Sequence, residues 1–88
     1  MVYVIIVYDA GVERLNKVRI FLKQYLNWVQ NSVFEGELTK SEYMKVISTL
    51  KGLIDEGQDC IFVYHVRDRK YLGCEELGTR RAEIDSII

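Results

Sequence analysis

Asp9 closes an apolar run, Val2 to Tyr8, and stands just before a helical pattern. An acidic side chain at a strand end is well placed to hold Mg²⁺ through oxygen. One carboxylate is a weak site, but a twofold dimer turns one aspartate into two that face each other across the axis. Such a pair can hold a metal that activates water and shields phosphate charge. The other reading is that Asp9 caps the helix or turns the chain. Ser32 belongs to a polar set, Gln30, Asn31, Ser32 and Glu35, inside an otherwise apolar segment. Alternation puts Gln30 and Ser32 on one face, with Asn31, Val33 and Glu35 on the other. Ser32 and Gln30 can donate to phosphate; an edge strand with a solvated face is the commoner reason for such a set. Arg14 and Lys17 border the apolar stripe of the first helix, and Arg19 and Lys23 sit four apart on its outer side. These four cations can form a phosphate-binding ridge or a plain charged outer face.

Other chemistries lack their parts. His65 is the single histidine, in a hydrophobic strand with no histidine, cysteine or carboxylate near it in sequence. A general base needs orienting partners, so a partly buried, satisfied histidine is expected. No GxSxG, Walker loop or GxGxxG occurs. Cys60 and Cys74 are separated by thirteen residues with no CxxC, which argues against structural zinc and suits a reducing cytoplasm. Trp28, Tyr8, Phe34 and Tyr64 can stack bases in principle, but the aromatic signature of RNA-recognition sheets is missing, and they are read as mostly core.

The elements that must position these residues follow from patterning. The 88 residues make a single domain, 1–88, with hydrophobic fraction 49% and charged fraction 28%. Net charge is −1, so phosphate binding must come from a local patch, a metal or a partner. Val2 to Tyr8 reads as a central strand, not a signal peptide, and no run reaches membrane-span length. Val12 to Leu26 reads as an amphipathic helix. Trp28 to Leu38 reads as one bent strand or a tight pair, with a bulge or bend at Gly36. Thr39-Lys40-Ser41-Glu42 is a capping box opening a helix to about Ile54. A polar loop, Asp55 to Asp59, leads into a strand from Cys60 to Val66, with a short further strand at Tyr71 to Cys74. The order predicts an α+β, ferredoxin-like β-α-β-β-α-β fold with two helices on one face of an antiparallel sheet. Residues 75–88 form a C-terminal tail expected to contact a dimer mate or another partner.

The strand end Tyr8-Asp9, the helix with Asn16-Lys17-Val18 and Phe21-Leu22, the segment Val29-Gln30-Asn31-Ser32-Val33-Phe34-Glu35-Gly36, and the strand Ile61 to Val66 together resemble the CRISPR-associated protein two family. The resemblance covers roughly residues 1 to 74. It implies a ferredoxin-like fold and a symmetric homodimer. It also implies a Mg²⁺-dependent endonuclease acting on RNA or DNA. In that frame Asp9 matches the metal-binding aspartate, and Tyr8, Ser32 and Phe34 match positions near the site. Leu15 and Trp28 stand where some members carry arginines that support nuclease activity, with Arg14 and Lys17 nearby. The resemblance equally implies a non-catalytic dimeric scaffold that binds duplex DNA and bridges dimers of the CRISPR integrase. A small-molecule-sensing module on the same fold is a third reading.

Overall fold

The computed structural model describes residues 1–73, 75 and 77. The chain runs β1 (Val2–Asp9), α1 (Val12–Leu22), β2 (Asn27–Gln30), β3 (Val33–Leu38), α2 (Lys40–Leu53), β4 (Cys60–Val66) and a 3₁₀ turn at Arg69–Tyr71. The four strands form one sheet in the order β2-β3-β1-β4, with every pairing antiparallel. β1 is central, with β3 on one edge and β4 on the other, as its uninterrupted apolar, β-branched sequence suits.

Both helices cover one face. Val4, Ile6 and Tyr8 point into that layer, and Phe34 and Leu38 of β3 join them. α1 contributes Val18 and Leu22, and α2 contributes Val46 and Leu50. Val4, Val18, Phe34 and Val46 have no exposed surface, so this layer is the core. No helix among the described residues is long and apolar enough to cross a membrane.

Four local features refine the expected pattern. α1 ends at Leu22 rather than Leu26; the chain turns through residues 23–26, and Leu26 still reaches the core. The tight pair of strands is the observed form of segment 28–38, and its bulge lies between Trp28 and Gln30 of β2 rather than at Gly36. Gly36 serves close approach instead. A Cβ there would lie 3.0 Å from Leu26 Cδ2, so glycine leaves room for Leu26 over β3. Tyr71 closes the 3₁₀ turn and is no part of a strand; residue 74 and nearly all of the 75–88 tail lie outside the described residues.

The capping box at α2 is fully formed. Glu42 N–H donates to Thr39 Oγ1 at 3.0 Å, and Thr39 N–H donates to Glu42 Oε1 at 2.8 Å. Thr39→Ala removes one acceptor for an otherwise orphaned donor. It is expected to cost about 1 kcal/mol, read from the shift of the urea midpoint at unchanged slope.

Candidate nucleic-acid interface and metal site

Asp9 is the last residue of β1 and is exposed. Among the described residues nothing hydrogen-bonds its carboxylate, and the cap of α1 is Gly11, with no side-chain hydrogen bond. The helix-capping role is therefore not filled by Asp9. Strand alternation places Asp9 with Tyr3, Ile5 and Val7, on the face that the helices leave open. The same face of β4 carries Cys60, Phe62, Tyr64 and Val66, directly opposite those residues. Phe62 and Tyr64 are 56% and 59% exposed and their rings stack with centroids 6.3 Å apart. A polar carboxylate thus stands at the rim of an exposed apolar sheet face.

The turn that carries Asp9 is held by a residue far along the chain. Asp59 is buried, and its carboxylate accepts from Gly11 N–H at 2.9 Å and from Asp55 N–H at 2.8 Å. Arg14 completes the cluster with two contacts, Nε to Oδ2 and Nη2 to Oδ1, the latter at 3.0 Å. The Arg14 guanidinium, then the two backbone donors, hold the Asp59 carboxyl well below the usual carboxylate range against the opposing effect of burial. The polar loop Asp55 to Asp59 stands as expected, with only its last residue buried, but Arg14, which also bonds Glu13 at 2.7 Å, is committed to an internal ion pair rather than to a phosphate ridge.

On the helix side of the same sheet end, α1 and the β2–β3 turn enclose an open cavity of about 460 Å³. Tyr8, Asn16, Arg19, Trp28, Asn31 and Ser32 are among its lining residues. Ser32 is not a strand residue facing with Gln30. It lies in the two-residue turn between β2 and β3, where Asn31 adopts φ 41°. Asparagine tolerates that left-handed backbone better than most residues. The Ser32 carbonyl accepts from Tyr8 N–H at 3.0 Å, which locks the turn to the end of β1. Burial pushes the Tyr8 hydroxyl above its ordinary range, outweighing the nearby Arg19 charge and the Ser32 hydrogen bond. Near neutral pH that hydroxyl is therefore a protonated donor.

Arg19 and Lys23 are not on a plain outer face. The Arg19 guanidinium lies 5.2 Å and the Lys23 ammonium 4.6 Å from the centre of the Trp28 ring. Arg19 Nη2 also donates to Asn16 Oδ1 at 2.9 Å. Trp28 is half-buried, and its Nε1 donates to the Asn31 carbonyl at 2.8 Å, so the ring itself is fixed. Lys17 is exposed on α1. Phe34 is fully buried against Tyr8, with ring centroids 6.1 Å apart, so it supports the site and touches nothing outside the core. The reading of the aromatics as mostly core holds for Tyr8 and Phe34; Trp28 packs half-buried against the core, and Tyr64 is exposed. His65 is exposed, edge-on to Tyr43 at 5.7 Å.

The donor chemistry suits a hard divalent cation only in part. Among the described residues no three His, Cys, Asp or Glu side chains cluster to hold a metal. One copy offers the Asp9 carboxylate, and Mg²⁺ commonly keeps several waters beside one or two carboxylates. Two Asp9 side chains from two copies fit that requirement.

The CRISPR associated protein Cas2 family pattern matches residues 1–73. A Methanosarcina acetivorans protein named CRISPR-associated endoribonuclease Cas2 is 65% identical over 98% of this chain and 99% of its own length. A Pyrococcus furiosus protein of the same name is 48% identical over the same shares. A crystal structure of cas2 superposes with a TM-score of 0.81 at 41% identity, covering 91% of this chain and 90% of that one. The crystal structure of Streptococcus pyogenes Cas2 at pH 6.5 gives 0.74 at 32% identity, covering 86% and 99%. The ferredoxin-like arrangement, the Tyr8-Asp9 strand end and the match across residues 1–73 lead to one assignment: this chain belongs to the CRISPR associated protein Cas2 family.

Proposed function

We propose that this chain is a metal-dependent endoribonuclease of CRISPR adaptation, working as a homodimer whose two Asp9 carboxylates share one divalent cation, Mg²⁺. The observation that carries this reading is the position of Asp9. It is exposed, at the rim of an open apolar sheet face that a second copy would cover. The names of the relatives, CRISPR-associated endoribonuclease Cas2, supply the substrate class.

Asp9 and its twofold mate would hold the cation. Bound there, the ion supplies positive charge against the phosphodiester in its transition state. The chain's own residues do the rest. Lys17, Arg19 and Lys23 offset phosphate charge along the strand. The Tyr8 hydroxyl and Ser32 act as neutral donors that orient the backbone, and Phe34 fixes Tyr8 from beneath. Arg14 acts through Asp59, keeping the Asp9 turn in place. In the adaptation machinery the dimer would meet the CRISPR integrase subunit, in the cytoplasm, where free Cys60 is stable.

The test is incubation of the native chain with labelled RNA and labelled duplex DNA, with Mg²⁺ and with EDTA. Cleavage of RNA that EDTA abolishes is expected. No cleavage of either polymer overturns the enzymatic reading in favour of a DNA-holding scaffold. The dimer is checked separately. Phe62→Asp places an unpaired charge in the middle of the proposed interface and is expected to weaken self-association at least about a hundredfold. Sedimentation velocity reads this directly, and a native chain that sediments as a monomer refutes the shared-ion arrangement.

A further inference from the structure

Of Arg14, Lys17 and Arg19 on α1 and Lys23 at its C-cap, only Arg14 is neutralised by a buried carboxylate among the described residues. Among the described residues neither Arg19 nor Lys23 makes a salt bridge; each lies instead against the neutral ring of Trp28. A ring face attracts a cation without cancelling its charge. Two like charges held beside one ring, next to a 460 Å³ cavity lined by Tyr8, Asn16 and Ser32, favour an anion at that place.

We propose that Arg19 and Lys23, pre-positioned by the Trp28 ring, form a backbone-phosphate subsite for a single-stranded polynucleotide, with Asn16, Ser32 and Tyr8 as its neutral donors. Trp28 is a positioning residue, acting through the two cations. Asn16 orients the Arg19 fork from its other side through the 2.9 Å hydrogen bond. Tyr8 lines the same cavity and offers its hydroxyl there as a neutral donor. Ser32 is held in reach because its carbonyl is pinned to Tyr8 N–H. The subsite shares the end of β1 with Asp9, one residue along the chain, but on the helix side of the sheet. A strand crossing that end can place one phosphate at the cations while another lies by Asp9. The substrate class rests on the endoribonuclease reading; the subsite itself needs only a phosphodiester backbone.

The test is binding, not cleavage, so the two ideas fail separately. Anisotropy of a fluorescein-labelled oligouridylate is followed against salt in EDTA, where hydrolysis is suppressed. For a single strand, each phosphate that a cation neutralises adds about 0.7 to the slope of log affinity against log salt. Arg19→Ala and Lys23→Ala are each expected to lower the slope by that amount. Lys45→Ala, on the exposed side of α2, is expected to leave it unchanged. Trp28→Ala removes no charge, yet is expected to weaken binding roughly fivefold to thirtyfold, because both cations lose the ring that positions them. Trp28→Phe is expected to restore most of that affinity. Should Trp28→Ala fail to fold, Lys23→Ala decides, because Lys23 is exposed and lies outside the core. Native slopes in both cation variants, or an equal drop in Lys45→Ala, overturn the subsite. A chain that cleaves nothing but shows the specific slope changes retains it.

Discussion

Asp9→Asn is expected to lower RNA cleavage at least about a hundredfold, the loss of one several-kcal/mol electrostatic contribution to the transition state. It is expected to leave the melting temperature where it was. Both halves follow from exposure: among the described residues no group hydrogen-bonds the carboxylate, so its removal orphans nothing inside the fold. The same substitution in a shared pair removes both carboxylates at once, which is why the effect should be large. Mg²⁺ titration of the residual activity provides the check. A variant that keeps native cleavage at saturating Mg²⁺ shows that Asp9 holds no catalytic ion.

Asp59→Ala is expected to cost stability as well as cleavage. It should lower the melting temperature by roughly 10 °C or more, since unpartnered buried donors and a stranded guanidinium are among the mechanisms behind the largest single-residue losses. Three donors lose their acceptor together: Gly11 N–H, Asp55 N–H and Arg14. The pH dependence carries a sign that identifies the residue. The folded-state value of Asp59 is depressed, so its contribution is complete above the unfolded carboxylate value, about 3.9. The contribution is lost as pH falls through that value towards the lower folded one. Native protein should therefore lose stability on acidification below about pH 4 more steeply than Asp59→Ala. Thermal melts from neutral to acid pH compare the two slopes, and parallel curves would refute the assignment. Cleavage by Asp59→Ala should also fall at temperatures well below its melting point, because Gly11 follows Asp9 by two residues.

The contrast shows what the residue order discloses and what it hides. β1, the α2 capping box and the strand pair at 27–38 are written in local patterns, each set by neighbours within a few positions. The Asp59 cluster is not, since Asp59 and Arg14 lie 45 residues apart and each alone reads as a surface charge. Trp28 is equally opaque. Its type signals core, against which it does pack, but nothing local shows that Arg19 and Lys23 lie over its ring. Ser32 escapes period-two reasoning because a two-residue turn breaks the strand alternation that such reasoning extends through it. Asp9 and the α1 cations are legible as residue types in position; which cations remain available to an anion is decided by long-range pairing.

The sheet order has a consequence for how the protein is made. β1 leaves the ribosome before β3 and β4, yet it pairs on one side with β3 and on the other with β4, whose partner positions run to Val66 opposite Tyr3. This apolar strand must therefore wait until Cys60–Val66 is made with one hydrogen-bonding edge unfilled. Closing that late, long-range pairing is the slow kind of step, and an unfilled edge on an apolar strand invites pairing between nascent chains. Chains halted before β4 should be the species that chaperones and proteases must handle.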